Sequence, residues 1–395
     1  MYIQTLANAL GYVGLVLLFI QILIGSRHIF KYFTTDTVLI NKIHKYLGIY
    51  GSLLAFAHPI EETVAYMSSW SWLFIINFSN NIESYISLGR IALYLMLAIW
   101  ITSAIVREQI KWKPWKYVHL LSYPLFIFVL MHALYSGSWA KEFFLLRIAL
   151  YILGLIFIGI IIRRLMSWMG FFKHKYMIKS MENVENEIII LTLTPCGDSN
   201  VVPTEYVCGG IDIPKIGQHA YLQLNPFFSE HPFTVMEIGV GGELVFGIRN
   251  IGAFANNLHM KLQGEKILLD GPYGVFTREA QNAEPKVIIS GGVGVTPFVR
   301  LVGEYGGENT WYMNCNRTQS IAIRRNYIMS HVGHYKDVDG IIDAMTIQNF
   351  LSLVPQPQLL NYFVCGSPGF IFAVKKILTG LGVDKKRIYF EELGF

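Results

Sequence analysis

The sequence predicts an all-α transmembrane helical bundle followed by a module of two parts, an antiparallel β-barrel and an α/β nucleotide-binding domain. Three observations predict it: a strongly apolar first half, a change near residue 176 to short strands punctuated by glycine and proline, and a second change at 286 to strand, Gly-rich turn and helix. Of 395 residues, 53% are hydrophobic and 15% charged, with a mean hydropathy of +0.41, whereas soluble domains carry about 25% charged residues. The 22 Tyr, 26 Phe and 8 Trp supply ample core, which excludes a disordered chain, and four cysteines are too few for a disulfide scaffold. The expected divisions are a transmembrane domain over 1–165, a linker over 166–175, a barrel over 176–283 and a nucleotide domain over 284–395.

Five apolar windows, about 8–26, 44–60, 85–106, 117–135 and 143–162, each approach the ~20 residues that cross a hydrocarbon core. The first is read as a span and not a secretory leader, because its apolar run is long and little positive charge precedes it. A Trp-rich stretch at 69–78 is about half as long and suits an interfacial or re-entrant segment. Basic clusters at Arg27, Lys31, Lys42 and Lys45, at Arg107, Lys111, Lys113 and Lys116, and at Arg163, Arg164, Lys173 and Lys175 all fall on one side of this pattern. The expected orientation therefore has the N-terminus outside and everything beyond 165 in the cytoplasm of a multi-pass cell-membrane protein. Cys196, Cys208, Cys315 and Cys365 would then be free thiols in a reducing compartment.

His44 opens the second window and His58 closes it; His119 opens the fourth and His132 closes it. Because those spans run parallel, the histidines form an inner level, His44 with His119, and an outer level, His58 with His132. Steps of 14 and 13 residues separate the levels by about 20 Å at 1.5 Å per residue. That separation suits two stacked haems, each held by imidazoles on facing helices, with zinc disfavoured because no cysteine or carboxylate accompanies either level. Each histidine alone also suits a hydrogen bond within the bundle or an interfacial cap. A 13-residue step does not return to the same helix face, and Pro124 offers a kink that realigns His132. Arg90 and Arg147 lie near the depth of the outer pair, where they suit haem propionates, an anion or interfacial snorkelling; Lys42, Lys45 and Lys116 stand similarly to the inner pair.

In the second half, strands are expected at 187–194, near 201–208, and at 219–224, 233–238 and 243–248, then a helix over 253–261 and a Gly-Pro turn at 270–274. The strand at 286 runs into Gly291, Gly292 and Gly294 with Thr296 and Pro297, a phosphate-binding arrangement at a helix start. Strands at 310–315, 360–364 and 387–391, helices near 319–329, 345–353 and 370–380, and a second Gly turn at Cys365 and Gly366 complete the nucleotide domain.

With these residues in place, the chain resembles the NADPH oxidase and ferric reductase superfamily over nearly its full length, and its bacterial NADPH oxidases in particular. The resemblance implies two b-type haems on His44, His58, His119 and His132, and a ferredoxin-reductase-like module binding FAD and NADPH or NADH. His231-Pro232-Phe233-Thr234 is similar to the family's flavin motif, which implies Thr234 at the flavin N5 edge and His231 beside the flavin or its ribityl-phosphate chain. Arg249, Gly252 and Ala253 would receive the FAD pyrophosphate, and Gly291, Gly292, Gly294, Thr296 and Pro297 the dinucleotide phosphates. Cys365 and Gly366 would border the nicotinamide, and Phe395 would lie over the flavin; Thr234, Cys365 and Phe395 are the implied catalytic residues. Arg317, Arg324 or Arg325 would contact a 2′-phosphate, since no acidic residue among 314–318 suits an NAD ribose.

The chain departs from the family in showing five spans in place of six, no calcium-binding loop, no activation insert and a nucleotide domain of about 110 residues. No obligatory protein subunit is expected. The implied path runs from the nicotinamide through FAD and two haems to extracellular oxygen, giving superoxide, or by the same route to a ferric chelate. A haem subunit serving a quinone or a repair enzyme has no need of the second half, and a non-catalytic flavin-binding membrane sensor has no need of paired histidines. The +5 charge follows membrane topology, so a nucleic-acid role is not expected.

Overall fold

The computed structural model describes residues 2–196 and 211–391. The strand expected near 201–208, Cys208 and Phe395 lie outside the described residues. The chain forms two compact units, Met1–Met166 and Ser167–Phe395.

The first unit is all helical: α1 (Tyr2–Ile24), α2 (37–65), α3 (Asn81–Ile105), α4 (Trp112–Tyr135) and α5 (Phe144–Trp168). Asp36 and Asn80 start α2 and α3, their carboxylate and amide oxygens accepting from Leu39 N at 2.9 Å and Glu83 N at 3.0 Å. Among the described residues four helices, not the five expected, are long and apolar enough to span a membrane, which makes this a multi-pass membrane protein. The 44–60 window does form a long helix, α2, but Lys42, His44 and Lys45 at one end and His58, Glu61 and Glu62 at the other dilute its apolar character.

Two helices carry π turns, Leu47–Gly51 within α2 and Ile101–Ile105 at the end of α3, and α4 is interrupted at Leu121. Pro124 accounts for that interruption, since it has no N–H for the carbonyl four residues back. The π turn takes up one residue of the 14-residue histidine step in α2, bringing it to the 13-residue step of α4. Leu15, Ile22, Phe126 and Phe157 pack at the centre, while Leu145, Leu155 and Ile158 are exposed, as lipid-facing residues are. The 69–78 stretch does not span: Trp70–Phe74 makes a short 3-10 helix, pinned where Arg90 Nη1 donates to Ile75 O at 2.5 Å and Ser87 Oγ donates to Asn77 O at 2.8 Å.

The second unit contains a closed antiparallel barrel, β1-β2-β5-β4-β3-β6, formed by β1 (His174–Val184), β2 (Ile188–Pro195), β3 (His219–Gln223), β4 (His231–Ile238), β5 (Leu244–Arg249) and β6 (Lys266–Tyr273). Two strands differ from expectation. β1 begins inside the expected linker, because Tyr176 and Ile178 enter the barrel core while charged Lys175 and Lys179 alternate outward. The expected 270–274 turn is largely the end of β6, with Tyr221 opposite Asp270 and His219 opposite Tyr273.

A parallel five-stranded sheet follows, ordered β11-β10-β7-β8-β9, from β7 (Lys286–Gly291), β8 (Gly307–Asn316), β9 (Val332–Asp339), β10 (Asn361–Cys365) and β11 (Ile388–Glu391). Ile288 and Phe363 pack on α7 (Thr296–Tyr305), and Val287, Ile289 and Val364 on the opposite face against α9 (Ala344–Leu351) and α10 (Pro368–Gly380). α6 (Gly252–His259) closes one side of the barrel. β9 escaped the sequence reading because, as a largely exposed edge strand, it has no continuous apolar run. The helix expected over 319–329 shortens to α8 (Arg325–His331), since Arg324 takes a left-handed conformation at its start.

Candidate functional site

The histidines of α2 and α4 meet in pairs within the first unit. Ring centroids are 6.0 Å apart for His44 and His119, and 6.2 Å for His58 and His132, with interplanar angles of 65° and 63°. An imidazole nitrogen lies about 2 Å from a bound metal, so rings on opposite sides of one ion have centroids about 6 Å apart. Both pairs therefore fit a metal held between them. Nδ1 of His58 meets Ala7 O at 2.8 Å, that of His132 meets both Tyr85 O and Ser136 Oγ at 3.0 Å, and that of His119 meets Ser103 Oγ at 3.3 Å, which leaves Nε2 of each for a ligand. His44 Nδ1 is buried without a partner, and Gln21 Nε2 donates to the His44 carbonyl at 2.8 Å.

A cavity of about 580 Å³ borders both His58 and His132 and is lined also by Gly11, Ala55, Arg90 and Leu125, within the range of ligand pockets. Two glycines let neighbouring helices come close to its histidines. A Cβ on Gly11 would stand 3.0 Å from the His58 ring, and one on Gly89 2.7 Å from His132 Nδ1. Arg90 is buried, its guanidinium 4.5 Å from the Trp72 ring centroid and 3.7 Å from Glu83, with Nε unpaired. Arg147 instead donates to Ala140 O at 2.9 Å and Lys141 O at 3.2 Å. Gly11, Gly89 and the Ser103 contact were not found from the sequence, where glycine in an apolar helix carries no distinguishing signal.

In the second unit, Phe233 points into the barrel core and Thr234 lies on its outer side. His231 and Phe233 both meet Phe254 of α6, with centroids 5.0 and 4.9 Å apart. Thr234 pairs with His219 across the β3–β4 ladder, and His219 Nδ1 lies 3.4 Å from Glu391 Oε1, which in turn stands opposite Cys365 in the sheet. Thr234 Oγ1 and Glu391 Oε2 are buried without a hydrogen-bond partner, a costly state that a polar ligand would relieve. Burial pushes the Cys365 thiol well above its ordinary range, with the Glu391 carboxylate adding to the shift.

The Gly291–Gly294 turn ends β7, and Cys365 and Gly366 end the adjacent β10. β7 is the strand at which sheet order reverses, and the crevice beyond its carboxyl end is where such sheets bind ligands. Gly294 is required there, since a Cβ would stand 2.2 Å from the Cys365 carbonyl oxygen. Thr296 Oγ1 donates to Val293 O at 3.0 Å and Pro297 occupies the first turn of α7. Gly252 and Ala253 begin α6, with Arg249 at the end of β5 before it. Of the three arginines expected near a 2′-phosphate, Arg324 forms a bidentate pair with Glu237 at 2.5 and 2.9 Å and Arg325 pairs with Asp337 at 2.7 Å, whereas Arg317 is exposed.

Residues 10–130 match the family described as "Ferric reductase like transmembrane component", which identifies a ferric-reductase-like transmembrane domain. The chain is 24% identical over 260 residues to a flavohemoprotein of Bordetella pertussis, a match covering 58% of this chain and 62% of that one. It is 29% identical over 164 residues to a flavohemoprotein of Chromobacterium violaceum, covering 36% and 41%. Among solved structures, a ferredoxin NADP+ reductase from Neisseria gonorrhoeae with bound FAD and NADP aligns at 15% identity and a TM-score of 0.45, covering 55% of this chain and 98% of that one.

Proposed function

We propose that the protein is a transmembrane reductase that takes electrons from cytoplasmic NADPH, or NADH, and delivers them through FAD and two b-type haems to a ferric chelate on the opposite face. The observation that carries this reading is the two levels of facing imidazoles, 6.0 and 6.2 Å between centroids, on helices matched to a ferric-reductase-like domain. Bound there, the haems would supply one-electron carriers at two depths, and FAD would divide the electron pair of a hydride. His44 and His119 hold the inner group and His58 and His132 the outer. With both imidazoles of a pair engaged, a haem held there would supply electron transfer and offer the acceptor no open site on the metal. Arg90 offers its unpaired Nε to a propionate or an anionic chelate.

In the second unit, the unpartnered Thr234 Oγ1 accounts for a polar flavin edge, and Gly252 and Ala253 with Arg249 receive its pyrophosphate. The flavohemoprotein relatives support a flavin in this half. Gly291, Gly292, Gly294, Thr296 and Pro297 line the crevice for the second dinucleotide. Cys365 and Gly366 would border its nicotinamide; Phe395, to which the family resemblance gives the flavin-covering role, lies outside the described residues. Arg317 carries any preference for a 2′-phosphate, because Arg324 and Arg325 are engaged by carboxylates.

A second reading keeps the path and gives the electrons to oxygen, releasing superoxide, as in the bacterial NADPH oxidases; the mostly apolar outer cavity favours a small neutral acceptor. An anaerobic optical spectrum of the detergent-purified protein before and after NADPH, followed by a ferric chelate or by air with a superoxide detector, tests both. Reduced haem bands that reoxidise with ferrous product are expected. Reoxidation by air alone, with superoxide, would transfer the assignment to the second reading, and absence of haem bands would end both.

A further inference from the structure

The inner and outer histidines are held in different ways, and the difference points to a group of side chains around His119. Trp115, one helical turn before it, stacks on the His119 ring with centroids 4.9 Å apart and planes at 24°. The Trp115 indole Nε1 donates to Ser103 Oγ at 3.2 Å, and the same hydroxyl meets His119 Nδ1 at 3.3 Å. Ser103 sits within the Ile101–Ile105 π turn, an irregularity that often marks functional positions. Arg107 completes the group, its guanidinium carbon 4.4 Å from the Trp115 ring centroid and 5.5 Å from that of Trp112.

We propose that Trp115, Ser103 and Arg107 are positioning residues that set the ring plane of His119 and raise the reduction potential of the group it holds. This rests on the reading of the paired histidines as haem ligands. Each outer ligand has a main-chain carbonyl on Nδ1, which His132 shares with the Ser136 hydroxyl at 3.0 Å, and a carbonyl is a strong acceptor that makes an imidazole more basic and favours the oxidised metal. His119 instead shares a hydroxyl with an indole N–H, a weaker and divided acceptor. The Arg107 charge, one ring stack further away, also opposes the additional positive charge of the oxidised state. Trp115 blocks rotation of the imidazole, so the plane is set by packing as well as by the hydrogen bond.

The test is a potentiometric titration of the full-length protein, followed through both haem bands, with low-spin electron paramagnetic resonance to report ring planes. Arg107→Gln, a change at a half-exposed position, is expected to lower the inner group's one-electron reduction constant about tenfold, or about 59 mV, with the outer group unmoved. Trp115→Phe retains a stacking ring, frees Ser103 for His119 and is expected to lower the potential less; Trp115→Ala is expected to shift the inner resonance. Two haems per chain with both potentials and resonances unmoved would overturn this proposal alone, as would equal shifts in both. Fewer than two haems in the wild type would overturn the reading of the histidines and this proposal with it.

Discussion

Each outer histidine has a main-chain carbonyl on Nδ1, joined at His132 by the Ser136 hydroxyl, whereas neither inner histidine has one: His119 meets Ser103 Oγ and His44 Nδ1 is unpartnered. His58 and His132 reach the carbonyls of Ala7 and Tyr85, which α1 and α3 can bring so close because Gly11 and Gly89 present no Cβ to the rings. His119 relies on Ser103 and Trp115, and His44 has Gln21 on its own carbonyl and nothing on Nδ1. A main-chain acceptor survives substitutions that preserve helix packing, so the carbonyl contacts of the outer level answer chiefly to steric change, with Ser136 the one side chain added at His132. The inner level can be adjusted one side chain at a time.

The largest effects are expected at the ligands. His58→Ala or His132→Ala is expected to remove the outer haem, halving haem content and abolishing acceptor reduction while NADPH still reduces flavin; unchanged haem content in both variants would sink the outer assignment. Gly89→Val should come close to that result through sterics alone, because its Cβ would overlap His132 at 2.7 Å, with Gly11→Ala giving partial haem loss at 3.0 Å. Haem quantification separates them, and equal occupancy in all three proteins would show that the glycines are not required.

Thr234→Val sharpens the comparison from the other unit. It should leave both haems in place and slow flavin reduction by roughly five- to tenfold, the effect of losing one hydrogen bond worth about 1 kcal/mol; stopped-flow absorbance checks it, and altered haem content would contradict it. The smallest effect expected is in thiol chemistry, which reports whether such variants keep the second unit packed. In a Cys208→Ser background, buried Cys365, whose thiol burial pushes up, and Cys315, pushed up to about 12, should alkylate far more slowly at neutral pH than half-exposed Cys196. Their rates should rise as pH climbs, since only the thiolate reacts, and mass spectrometry finding equal labelling would mean the sheet had opened.

Much of the fold was legible where a residue pattern is local. Apolar runs located the long helices, and short apolar runs bounded by glycine or proline, at 187–194 and 243–248, located barrel strands. The reading failed where neighbours decide: β1, with charges alternating outward; β9, a polar edge; and the end of β6, whose Gly and Pro suggest a turn but pair with β3. The histidine steps suggested the two levels, yet Pro124 was only half of the answer, because the π turn in α2 also brings the steps into agreement. Trp115 and His119 are spaced four apart and were recognisable as one helix face. Their link to Ser103 was not, since it crosses between helices. Arg324 and Arg325 stood out as cations, but their carboxylate partners lie 87 and 12 residues away.

The sequence by itself determined composition, membrane character, the order of helical bundle, barrel and sheet, and which residue types could carry chemistry, because hydropathy, periodicity and turn chemistry act over a few residues. Tertiary structure alone decided which nitrogen of each imidazole is left for a ligand, which glycines let helices approach, and which buried oxygens remain unpartnered. Those are distances of about 3 Å between segments far apart in the chain, and no local pattern encodes them.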